Sequence, residues 1–195
     1  MNDPMNEERS FEVIREMIQR TRYNLVDDVF YYLFWGWLVL GAGMIQLALI
    51  LMDNPYNYLP WIILMPIGGL VTFFYSRKKD QGKRHTTLVD KAMMYVWTGF
   101  LVVLLLTLVL SVHAGWSLTY VYVMGLYGLG TFITGGMLNF KPLVIGGILS
   151  WVMAGIGFFL VSSDFIYMLI LLLISITVSY LIPGYLLKKQ GKHEV

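Results

Sequence analysis

The chain is 195 residues long, 57 % hydrophobic and only 13 % charged, with a mean hydropathy of +0.66, too apolar for a water-soluble domain of this length. It contains no cysteine, so disulfides, thiolate metal sites and cysteine nucleophiles are excluded. The net charge of +2 gains meaning only when divided by position, and the composition predicts an all-α integral membrane protein.

Residues 1–28 are polar and mixed in charge, and the apolar run behind them is longer than a signal-peptide core, so no cleaved signal is expected. Phe11, Ile14, Met17 or Ile18, Thr21 and Leu25 recur at helical spacing, with Glu8, Arg9, Glu12, Arg15, Glu16, Arg20 and Arg22 on the other side. This predicts a cytoplasmic amphipathic helix. Two uses fit such a segment: docking a partner protein through Phe11, Ile14 and Ile18, or lying along the bilayer surface or the chain's own bundle.

Six apolar runs follow, at about 29–52, 59–76, 92–112, 116–140, 142–161 and 165–187. At 1.5 Å per residue each can cross roughly 30 Å of hydrocarbon. The simplest architecture is a six-transmembrane-helix bundle over 29–187, with a basic tail at 188–195. In the fourth run, Gly135 and Gly136 can end the helix early and leave 137–140 at the interface. Pro60 and Pro142 sit where a helix starts, whereas Pro66 and Pro183 fall inside spans and predict a kink or a loosened turn.

All 14 lysines and arginines lie in four segments: the tail before the first span, the loop 77–91, Lys141 after the fourth, and Lys188, Lys189 and Lys192 at the end. With six spans these segments share one side, so the positive-inside rule places both termini in the cytoplasm. The opposite connections are short and carry only Asp53, His113 and Asp164 as titratable groups. Arg77, Lys78, Lys79, Lys83 and Arg84 make the 77–91 loop a candidate contact for anionic lipid headgroups, or for the first 28 residues, which carry a net −3 against the loop's +4.

No span contains Asp, Glu, Lys, Arg or His between its interfaces. Proton relays, ion-coupled transport and intramembrane metal or haem ligation generally need such groups at depth. No catalytic, cofactor-binding or metal-binding residue is therefore predicted, and no nucleic-acid-binding motif occurs. The polar groups left at depth are neutral: Gln46, Thr131, Thr134 and Ser150, with Ser175, Thr177 and Ser179 in the last span. They would line a pathway for a small neutral solute, or hydrogen-bond between helices. Gly130 and Thr134, Thr131 and Gly135, and the row Gly146, Ser150, Ala154 are small residues four apart. They predict close packing around the turn 139–142 and leave open whether such faces also serve a homo-oligomer.

FWGWL in the first span, PIGGL in the second, NFKPLVIGG between the fourth and fifth and LIPGYLLK at the end resemble small six-span bacterial inner-membrane proteins of uncharacterised function. The resemblance covers nearly the whole chain, rests on packing and turn motifs, and implies a bacterial cytoplasmic membrane without implying an activity. The expectation is a non-enzymatic module that interacts with lipid or a cytoplasmic partner; the alternative is a channel or facilitator for a small neutral solute, lined by Gln46, Thr131 and Thr134.

Overall fold

The computed structural model describes residues 29–80 and 88–193, and among them every regular element is helical. The predicted amphipathic helix, with Phe11, Ile14 and Ile18, lies outside the described residues, as do Lys83 and Arg84. The helices are α1 (Val29–Leu51), α2 (Leu59–Asp80), α3 (Leu88–Ala114), α4 (Trp116–Met137), α5 (Lys141–Phe159) and α6 (Phe165–Ile176). A π-helical turn (Thr177–Leu181) joins α6 to α7 (Ile182–His193) without a break.

Five stretches are helical, long and apolar enough to cross a membrane: α1, α2, α3, α5 and the continuous α6–α7. The exception is α4. Its 22 residues suffice in length, but five glycines, three tyrosines and three threonines dilute its aliphatic residues. A helix walled in by other helices need not resemble lipid, and α4 has a buried face that runs from Thr119 to Gly135.

Local chemistry sets the turns. α1 ends with Asp53 at φ 52 and α4 with Asn139 at φ 51. In each case the next amide reaches back five residues, Asn54 N to Leu49 O and Phe140 N to Gly135 O, the pattern by which a left-handed residue closes a helix. Pro142 stands in the first turn of α5, where a missing N–H costs nothing. The Asp164 carboxylate caps α6 by accepting from Ile166 N at 3.0 Å.

Lipid is as apolar as leucine, so helices in a bilayer are held by close packing and interhelical hydrogen bonds rather than by water exclusion. The tightest contact is the antiparallel pair α4–α5. A Cβ added at Gly135 would stand 2.6 Å from Val144 N, and one at Gly147 would stand 2.7 Å from Gly128 O. Gly130 faces the other way, toward Trp97 and Phe100 of α3 at ordinary contact distance. Ala154 is half-buried against the core. α1 lies on α6, the π turn and α7, with Leu173 seated on Gly43, Leu181 on Gly36 and Leu33 on Gly184. α2 packs on α1 through Gly68 against Leu38 and Trp35, and through the stacked pair Phe30–Tyr75 at 3.9 Å.

The π turn has a cause and a consequence. Ile182 N donates five residues back, to Thr177 O, and Pro183 has no N–H to offer. The Val178 carbonyl is thus left without its helical donor. Gly146 of α5 lies against that oxygen, where a Cβ would come within 2.7 Å, an approach that only glycine permits.

Candidate functional site

Around the bundle axis the described residues form three levels. At the end where α1 finishes and α4 begins, Gln46 is 4 % exposed. Its Oε1 accepts from Trp61 Nε1 at 2.6 Å and from Tyr120 OH at 2.7 Å. The indole can only donate, so the carbonyl side of the amide must face it. One side chain thereby ties α1, α2 and α4 together. The middle level is apolar: Val39, Met124, Met168, Leu169, Leu172 and Ile176 are all fully or almost fully buried.

The buried hydroxyls of α4 and α5 are spent chiefly on neighbouring backbone. Thr131 Oγ1 donates to Tyr127 O at 2.8 Å and Thr134 Oγ1 to Gly130 O at 2.7 Å, each on its own helix one turn back. Ser150 Oγ donates across the helix boundary to Met124 O at 2.9 Å. Its proton committed, it accepts from Ser175 Oγ at 2.5 Å, and Ser179 Oγ donates to Ser175 O. The structure therefore brings Ser150 to α4 and α6, and places Gln46 apart from Thr131 and Thr134, which share one face of α4.

The third level, toward the start of α1 and the end of α4, is aromatic. Trp97 meets Phe100 at 5.3 Å, Phe100 meets Tyr127 at 5.6 Å, Tyr127 meets Tyr180 at 5.3 Å, and Tyr180 returns to Trp97 at 6.4 Å. Tyr32 adds its ring to Tyr180 at 5.7 Å. Four elements, α1, α3, α4 and the π turn, supply these rings. Sequence reasoning passed over them because Tyr and Trp in apolar runs read as filling. The available signal was the heptad row Tyr120, Tyr127, Thr134 on α4, interleaved by Met124 and Thr131.

Arg77, Lys78, Lys91, Lys141, Lys188 and Lys189 are exposed and sit where α2 and α7 end and α3 and α5 begin, at one end of the bundle. The Arg77 guanidinium lies 4.4 Å over the Phe73 ring, a cation–π contact that turns it along the helix. Lys79 is placed on α2 by its backbone alone. Among the described residues no three His, Cys, Asp or Glu side chains stand close enough to hold a metal ion. Comparison with known proteins finds no matching family model, no matching curated protein and no matching solved structure.

Proposed function

We propose that this chain is a six-span bundle of the bacterial inner membrane, α4 being the sixth span, with both termini on the cytoplasmic side. It acts as a non-enzymatic interaction module whose basic end gathers anionic lipid headgroups. The observation that carries the reading is the charge at the two ends of the bundle. Six exposed lysines and arginines stand at one end, and the other offers Asp53, Asp164 and His113. Each basic side chain near an anionic surface contributes about 1 kcal/mol. A cytoplasmic protein would meet the same end.

The test is the thermal stability of the purified full-length protein in detergent supplemented with phosphatidylglycerol or with phosphatidylcholine. Phosphatidylglycerol is expected to raise the melting temperature more than phosphatidylcholine. The difference is expected to shrink in the variant Arg77→Gln, Lys78→Gln, Lys188→Gln, Lys189→Gln. Equal effects of the two lipids on the unaltered protein would overturn the reading.

The facilitator reading needs water at depth. It is tested by single cysteines at positions 46, 131, 134 and 150, probed with a membrane-impermeant thiol reagent. Protection at all four is expected, because the side chains there are buried and hydrogen-bonded to protein. Labelling at any of them from either side would replace the module by a pathway.

A further inference from the structure

The first turn of α1 stands between two pairs of basic side chains. Phe30 stacks on Tyr75 of α2 at 3.9 Å, and Tyr31 meets the same ring edge-on at 5.6 Å. Two residues further on, about 200° round the helix, Tyr32 and Leu33 press on Gly184 of α7, where a Cβ would lie 3.3 Å and 2.9 Å from them. Both α2 and α7 run antiparallel to α1 and continue beyond the level of Val29, to Asp80 and His193. Arg77 and Lys78 follow Tyr75 by about 3–5 Å of helix, and Lys188 and Lys189 follow Gly184 by about 6–8 Å. All four are exposed.

The chain that enters between these pairs brings the opposite charge. Residues 1–28 hold seven carboxylates and four arginines, a net −3. The imbalance lies at the far part. Asp3, Glu7, Glu8, Glu12 and Glu16 fall in the first 16 residues with only Arg9 and Arg15, while Arg20 and Arg22 balance Asp27 and Asp28. The twelve residues 17–28 measure roughly 18 Å as a helix and about 40 Å extended, against the roughly 8–10 Å between the axes of packed helices. The acids therefore reach both basic pairs.

Two surfaces compete for such a segment. An anionic leaflet repels a net −3, and helices that lie on such membranes carry Lys and Arg on their polar face. Attachment to α1 instead keeps the acids beside the basic side chains at an effective concentration in the millimolar range. Opposite charges attract there within a Debye length of about 8 Å. The bundle's own end is the favoured surface.

We infer that residues 1–28 dock back on the basic end of their own bundle, the carboxylates of the first 16 against Arg77, Lys78, Lys188 and Lys189, and hold that end against anionic headgroups. The docking rests on charge and tethering; its effect on lipid rests on the lipid-gathering reading proposed above. The segment is an internal competitor, and a membrane rich in anionic lipid releases it.

The test treats the full-length protein, in an uncharged maltoside micelle, with a carbodiimide, which joins a carboxylate to an amine only where the two touch. Amide links are expected from Glu7, Glu8, Glu12 or Glu16 to Lys78, Lys188 or Lys189, within single chains of a mixture of isotopically light and heavy protein. Raising the salt to half molar is expected to cut them roughly threefold or more. The variant Glu7→Gln, Glu8→Gln, Glu12→Gln, Glu16→Gln turns the segment from −3 to +1. It is expected to reach half of the phosphatidylglycerol stabilisation at a lipid fraction roughly threefold lower than the unaltered protein. Absence of links within single chains would overturn the docking. Links with no shift between the two lipid titrations would overturn the competition. Equal effects of phosphatidylglycerol and phosphatidylcholine on both proteins, with the links intact, would overturn the lipid reading and uphold the docking.

Discussion

Alanine at positions 135 and 136 separates close packing from helix propensity with two neighbouring glycines. A Cβ at Gly135 would lie 2.6 Å from Val144 N, 2.8 Å from Leu143 Cβ and 2.9 Å from Val144 Cγ2; at Gly136 nothing lies within 4 Å. Ordinary contact begins at 3.4 Å, so α4 and α5 must part by about 0.8 Å at their tightest point to admit the methyl group. A gap of that size forfeits a quarter to a half of each dispersion contact opened, and overpacking of a well-filled interior costs about 1–3 kcal/mol. Gly136→Ala meets no such obstacle and gains about 0.8–1 kcal/mol of helix propensity. The two variants are expected to move in opposite directions, by a combined difference of roughly 2–4 kcal/mol. Reversible unfolding in mixed micelles, titrated with a denaturing detergent and followed by circular dichroism, measures both. If Gly135→Ala proves as stable as Gly136→Ala, the contact between α4 and α5 is not the tight one described.

Further outcomes follow from the same geometry. Gln46→Leu removes the shared acceptor of Trp61 and Tyr120 and strands two donors, at about 1–3 kcal/mol; adding Tyr120→Phe and Trp61→Phe is expected to recover part of that loss, and a triple variant no better than the single would refute the network. Asn139→Ala forces a methyl group into a backbone at φ 51 and is expected to cost about 1–2 kcal/mol. Asn139→Gly should cost little, so equal losses in the two variants would show that the side chain, not the backbone, closes α4.

How far the chain could be read depended on how local each signal was. Long apolar runs are local, and the helical class with membrane-spanning helices followed from them. So did the punctuation at Asn139 and Pro142, whose backbone preferences act within a residue or two. Which face of a helix meets which neighbour is not local. Residues four apart draw attention to Thr131 with Gly135, and Gly135 does stand in the α4–α5 approach; but that approach also runs through Gly128 and Gly147, while Gly130 looks toward α3 and Gly146 toward the π turn. Antiparallel helices crossing at a shallow angle return to the same partner every seven residues, and a single helix does not announce that angle. The span count shows the same limit. α4 reads as a span in sequence, but its glycines, tyrosines and threonines leave it outside the five helices long and apolar enough to cross a membrane, and one of its faces is buried against its neighbours. Pro183 marked a place of loosening, but the extra residue wound in before it, and the way it aims Tyr180 at Tyr127 and Trp97, emerged only when four elements stood together.

The π turn also acts as a phase shifter. An α-helix advances 100° per residue, and the π turn absorbs one extra residue without that advance, so rewinding Thr177–Leu181 as regular α-helix with all its residues kept would rotate everything beyond it by about that angle. α6 would keep its seat, with Leu173 still on Gly43. Beyond the rewound turn, Gly184 would swing out from under Leu33, and the Tyr185 hydroxyl would leave the Trp37 indole that donates to it at 3.1 Å. Lys188 and Lys189 would then point in a new direction. The winding of this one turn therefore sets which face the C-terminal helix presents, and losing it would reach further than most substitutions in the spans.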